Sequence, residues 1–192
     1  MPSLWYNPAL LMIPAVQKDL NVSPEVAQKA TQAMIKEAMK SGPAVSGLMA
    51  GKTPTSEQMK EATAALKRMQ DAATKDLSPA QKARLHEITL QSYGAKALLD
   101  PKVAEQVGLT ATQASNLKSA VGRVEQSEKT AYKASSSGKG FDMSAMQSAA
   151  EVRRKQTDAA LNSILNPKQK QKWLSLQGKQ IDLGPLGAMM GG

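Results

Sequence analysis

Cysteine is absent from all 192 residues, which excludes disulfides, thiol nucleophiles and thiolate metal sites outright. Histidine occurs once, at His86, so neither a Ser-His-Asp triad nor a histidine-rich zinc site can be built in the usual way. Aromatic residues make up only 3% of the chain, and β-branched residues are few, which leaves little material for half-buried strands. The apolar run Pro8–Val16 is too short to span a bilayer and is interrupted by Pro14. The opening Met1-Pro2-Ser3-Leu4-Trp5-Tyr6 has no basic stretch of the kind that precedes a secretory signal. The chain is therefore expected to be cytoplasmic, or periplasmic or otherwise extracytoplasmic if a leader was removed.

What is present points to helices. Ala, Gln, Lys, Leu and Met dominate, and all are strong helix formers. Short polar residues followed by proline recur at Asn7-Pro8, Ser23-Pro24, Ser78-Pro79, Asp100-Pro101 and Asn166-Pro167. The polar side chain can accept from unbonded N–H groups, and proline at the first helical position gives up no hydrogen bond. Thr55-Ser56-Glu57-Gln58 and Thr110-Ala111-Thr112-Gln113 add capping boxes, in which glutamine reaches back to the cap's backbone. Between these starts, Met59, Ala62, Leu66, Met69 and Ala73 step by three and four residues, as do Ala114, Leu117, Val121, Val124 and, past a polar Glu128, Ala131. A helix over 142–165 shows a weaker stripe through Met146, Ala150, Leu161 and Ile164. Nothing alternates with period two, so the expected class is all-α.

Breaks fall at Ser41-Gly42-Pro43, continuing through Gly47, Gly51 and Pro54, and at Ser135–Gly140. Gly108 and Gly178 stand where helix C-caps belong. The Gly/Met-rich tail, residues 182–192, reads as flexible.

The chain also matches itself. Pro14-Ala15-Val16 falls on Pro101-Lys102-Val103, and Val22-Ser23 on Leu109-Thr110, both at an offset of 87. Leu77-Ser78-Pro79-Ala80-Gln81 falls on Leu165-Asn166-Pro167-Lys168-Gln169 at an offset of 88. Two tandem helical-hairpin units are expected, over 7–93 and 95–181, each a short helix, a long helix, a loop, a long helix and a closing short helix.

Candidate sites are sparse. His86 stands beside Leu85 and Ile88 and reads as a half-exposed structural side chain. Carboxylates are scattered among lysines, and no glycine-rich phosphate loop follows a strand. No enzyme, cofactor, metal or small-molecule substrate is expected. Met143, Met146 and the Met189-Met190 pair offer thioethers of the sort that hold copper(I), but methionine more commonly fills irregular cores and adaptable surfaces. The net charge of +9 favours an acidic partner, whether nucleic acid, an anionic membrane or acidic protein. Its densest stretches are Arg153-Arg154-Lys155 and Lys168, Lys170, Lys172 and Lys179. Nucleic-acid binding would want these on one face beside aromatics, and Trp173 is the only aromatic nearby, so a solvated or partner-binding face is the better reading.

The sharpest pattern is Leu/Val-Ser/Thr/Asn-x-x-Gln at helix starts. It comprises Leu77, Ser78 and Gln81; Leu109, Thr110 and Gln113; Leu165, Asn166 and Gln169; and a degraded copy at Val22-Ser23 with Val26 in the glutamine position. The paired copies are 55 residues apart in the first unit and 56 in the second. This pattern resembles the Spy/CpxP-type LTXXQ family of periplasmic helical proteins, here in duplicate. The resemblance implies an ATP-independent chaperone or stress-response accessory of the cell envelope, with unfolded or envelope proteins as partners. It also implies that the duplication supplies in one chain the two hairpins that family members bring together as a dimer. The alternatives are a structural or accessory subunit of a larger complex, with Trp5-Tyr6 and the tail as docking ends, and a basic nucleic-acid-binding protein of the cytoplasm.

Overall fold

Helix starts follow the capping residues. In the computed structural model, which describes residues 6–40, 55–135, 143–184 and 187, the helices are α1 (Pro14–Asp19), α2 (Pro24–Lys40), α3 (Ser56–Ala73), α4 (Pro79–Tyr93), α5 (Pro101–Val107), α6 (Ala111–Ser135), α7 (Met143–Ile164) and α8 (Pro167–Gln177). The described residues contain no strand, and the protein is all-α. The breaks expected at 41–54 and 136–140, and most of the tail, lie outside the described residues.

Asn7-Pro8 opens a 3₁₀ turn, Pro8–Met12, rather than an α-helix, and a second such turn spans Gly94–Leu99. Both stop for the same reason. An α-helix continuing through Pro14 or Pro101 would need an N–H from that proline to reach Leu10 or Ala97, and proline has none. The carbonyl of Leu10 instead accepts from Ile13 at 3.0 Å, and that of Ala97 from Asp100 at 3.1 Å. Asp100 then caps α5, accepting from the amides of Lys102 and Val103.

The chain forms two compact units, 1–89 and 90–192. In unit 1, α2 packs along α3. Both helices bury alanines, Ala27 and Ala30 on α2 and Ala62, Ala65 and Ala73 on α3. Small side chains let two helix axes come close, and larger ones are then displaced to the margins of the contact. The buried face of α3 keeps Ala62 and Ala73 of the expected stripe and is broader than it. Ala65 and Gln70 are buried, Leu66 and Met69 are half-buried, and Met59 is exposed. Leu10, Leu11, Val16, Leu20, Leu85 and Ile88 supply the bulk of this unit's apolar core.

In unit 2, α6 packs along α7, and α5 against α8. The core joins Leu98, Val103, Val107, Leu117, Val121, Leu161, Leu165 and Trp173. The helix starts of unit 2 fall 87 positions after those of unit 1 at Pro101, Ala111 and Met143, and 88 after at Pro167. A left-handed residue ends the first short helix of each unit, Asn21 (φ 49°) after α1 and Gly108 (φ 78°) after α5.

Candidate functional site

The glutamine motifs build helix junctions. At Thr110 the hydroxyl accepts from the Gln113 amide (3.2 Å), while the Gln113 carboxamide oxygen accepts from the Thr110 amide (3.0 Å). Asn166 and Gln169 form the same box, at 2.9 and 3.0 Å. The two boxes then meet. Gln113 Nε2 donates to Gln169 Oε1 at 2.8 Å, and Gln169 Nε2 donates to Gln113 Oε1 at 2.9 Å. The remaining amide protons are used as well, from Gln113 to the Ile164 carbonyl (2.8 Å) and from Gln169 to the Gly108 carbonyl (2.6 Å). One reciprocal amide pair thus ties the ends of α5 and α7 to the starts of α6 and α8, with every donor satisfied.

Unit 1 has half of this arrangement. Ser78 and Gln81 complete a capping box (3.2 and 2.9 Å), and Gln81 Nε2 donates to the carbonyls of Leu20 (3.1 Å) and Asn21 (3.3 Å). Where unit 2 has Gln113, unit 1 has Val26, so no second amide answers Gln81. Ser23 caps α2 weakly, its hydroxyl 3.4 Å from the Val26 amide. Leu77, Leu109 and Leu165 precede the caps; Leu77 and Leu165 are buried and Leu109 is packed against the unit 2 core. These motif residues are therefore structural.

The basic residues do not converge on one face. Successive residues on a helix are about 100° apart, so Arg153, Arg154 and Lys155 fan across α7. Arg153 is half-buried, Arg154 exposed, and Lys155 pairs with Glu151 at 2.9 Å. On α8, Lys168 and Lys172 are exposed one turn apart, whereas Lys170 is half-buried on another side. Lys179 is exposed beyond the helix.

Other polar groups serve the fold. In unit 1, Arg84 donates to Asp19 and Glu87, both at 2.6 Å, joining α4 to α1. Burial opposes its charge, but these two carboxylates outweigh that and raise the guanidinium pKa. The Thr89 hydroxyl is buried, accepts from the Asn7 amide (3.0 Å) and donates to the Leu85 carbonyl (2.7 Å). Gln91 holds the chain after α8, donating to the carbonyls of Gln177 (2.6 Å) and Lys179 (2.8 Å) and accepting from the Ile181 amide (3.2 Å). No periodicity marks Thr89 or Gln91, so the sequence carried no signal for them. His86 is half-buried, with the Tyr6 ring edge-on to it at 6.2 Å.

A groove of about 440 Å³ between α6 and α7 is lined by Asn116, Ser119, Ala120, Arg123, Ala159, Ala160, Ser163 and Ile164. It contains two hydroxyls and one guanidinium but neither a carboxylate nor a histidine to act as a base. Among the described residues no three His, Cys, Asp or Glu side chains gather as a metal site would require, and no helix is long and apolar enough to cross a membrane. The tail methionines Met189 and Met190, and the side chains of Met143 and Met146, lie outside the described residues, as does Trp5.

Large apolar side chains left in solvent are the remaining chemically distinctive feature. Ile35 (47% exposed) and Met39 (78%) stand on α2 and Met59 (40%) on α3. Met12, Val152 and Leu174 are also exposed. The sequence reading did not pick out Ile35 or Met39; their spacing from Gln28 and Gln32 was the available signal.

Compared with protein-family models, with curated proteins and with solved structures, the chain matches none.

Proposed function

We propose that the protein is a non-enzymatic protein-binding protein of the cell envelope, working as an ATP-independent chaperone or stress-response accessory. The observation that carries this reading is the pairing of exposed apolar side chains with lysines on the α2–α3 hairpin: Ile35, Met39 and Met59 beside Lys36, Lys40 and Lys60. Charge at +9 draws acidic, partly unfolded chains from a distance, and flexible methionine adapts to varied apolar segments on contact. The likeness of the helix-start motifs to the Spy/CpxP-type LTXXQ pattern supports an envelope location, and the recurrence of helix starts at offsets of 87 and 88 supports a duplicated hairpin unit.

The test is light scattering from an unrelated denatured protein diluted with and without this one, lacking ATP, at two salt concentrations. Suppression of aggregation that weakens with salt is the expected result, because exposed charges are screened beyond roughly 10 Å at 0.1 M salt. No suppression at molar excess would overturn the chaperone reading.

A further inference from the structure

The solvent side of α2 carries two parallel stripes. Gln28, Gln32, Ile35 and Met39 follow a four-three-four step, and all are exposed. Lys29, Lys36 and Lys40 follow a seven-four step on the adjoining strip and are exposed too. At 1.5 Å per residue the first stripe runs about 16 Å, three turns of helix. The buried Ala27 and Ala30 face a different side of the helix, with Ile35, 47% exposed, standing at the margin of that contact and Met39, 78% exposed, beyond it. Lys40 is shared with Glu37 at 2.6 Å, whereas Lys29 and Lys36 make no ion pair among the described residues.

We infer that this double stripe is a docking site for an acidic amphipathic helix, one whose apolar ridge is bordered on a single side by Glu or Asp. The inference rests on the protein-binding function proposed above and specifies its partner. Three features select this occupant. The four-three-four step matches the ridge of a second helix. The cations lie on one border only, which fits a partner with one acidic border; an anionic membrane would favour lysines on both sides of the apolar strip. The strip is half amide, and Gln28 and Gln32 offer hydrogen bonds that lipid tails cannot answer but a protein side chain can. The one-sided charge also sets direction, since reversing the partner carries its carboxylates to the far side of the Ile35–Met39 ridge, away from the lysines.

The probe is a fluorescein-labelled amphipathic peptide of four turns, with leucines on the ridge and glutamates along one border. Controls are the same peptide with lysine for glutamate, anionic phosphatidylglycerol vesicles, and a 20-nucleotide single-stranded DNA. Binding to the full chain is read by anisotropy and vesicle cosedimentation. The acidic peptide binds, and the lysine peptide binds at least about tenfold more weakly. Lys29→Gln/Lys36→Gln weakens the acidic peptide several-fold at low salt and less at high salt. Ile35→Ser/Met39→Ser weakens it about tenfold at either salt, through lost apolar burial. All four positions are exposed, and circular dichroism confirms that the variants keep their helix content. Equal binding by the wild type and both variants, or preference for vesicles or DNA over the acidic peptide, overturns the inference. Aggregation suppression that survives in both variants while peptide binding is lost overturns it as the route to clients, yet leaves the chaperone reading standing. Absence of suppression in the wild type, with peptide binding intact, removes the chaperone reading and keeps the docking site.

Discussion

Deleting the Gln169 carboxamide severs both sides of the unit 2 junction at once. Its oxygen accepts from the Asn166 amide and from Gln113, and its nitrogen donates to the Gly108 carbonyl and to Gln113. The residue is 6% exposed, so its bonds lie largely out of water. Gly108 and Asn166 are exposed, and water replaces the bonds they lose in Gln169→Ala. The Gln113 partner bonds are the ones not readily replaced. Loss of a capping interaction costs about 1 kcal/mol, and two further hydrogen bonds contribute about 0.5–1.5 kcal/mol each. Gln169→Ala is therefore expected to destabilise unit 2 by roughly 2–4 kcal/mol, and Gln113→Ala, at a half-buried site, by roughly 1–2. The double variant should cost less than the sum by about 1–2 kcal/mol, because the reciprocal pair is counted in both single changes. Urea denaturation followed through Trp173, buried one turn after Gln169, reads this directly in a Trp5→Phe background. Strictly additive costs would refute the coupling: the two boxes would then be separate caps that happen to touch.

Three other substitutions probe the same structure. Gly108→Ala is expected to cost about 1 kcal/mol by chemical denaturation, from the left-handed backbone alone, since an added Cβ meets no atom within 4 Å; a neutral result would refute that account. Leu117→Ala, at a fully buried site in unit 2, should cost roughly 2–5 kcal/mol, and a smaller loss would show that α6 and α7 close over the gap. Asp19→Ala should cost about 1 kcal/mol and keep most of that cost at high salt, whereas Asp71→Ala, which breaks an exposed pair with Lys67, should cost near nothing; an Asp19 cost that salt abolishes would show the Arg84 pair to be just as screened.

Much of the helical frame was legible because it is written in local chemistry. Proline and a short polar residue act within one turn, so Asp100, Ser78 and Asn166 mark their helices without reference to the rest of the chain. The capping boxes at Thr55, Ser78, Thr110 and Asn166 follow from the same short reach. Distant effects were not legible. Periodicity placed Met59 on the buried stripe of α3, but in the first turn of that helix it stays 40% exposed. The union of Gln113 with Gln169 depends on where two separate junctions meet, which residue spacing alone does not state. Asn7-Pro8 looked like every other helix start, but it opens only a short 3₁₀ turn, and the second proline six residues later bars an α-helix from running on through it. The surface proposed for docking was least visible, because lysine density pointed to α7 and α8, where helical geometry disperses the charges, and away from α2, where widely spaced lysines line up.

The methionines of the unit 1 hairpin form a graded set of built-in reporters. On α2, Met34 is half-buried and Met39 open; on α3, Met69 is half-buried and Met59 open. Each carries a terminal methyl group that rotates rapidly and gives a sharp signal when ¹³C-labelled. Contact from outside would move the Met39 and Met59 resonances, while loosening of the seam would move those of Met34 and Met69. Surface occupancy and internal breathing of one helix pair can therefore be separated in a single spectrum of the unaltered chain.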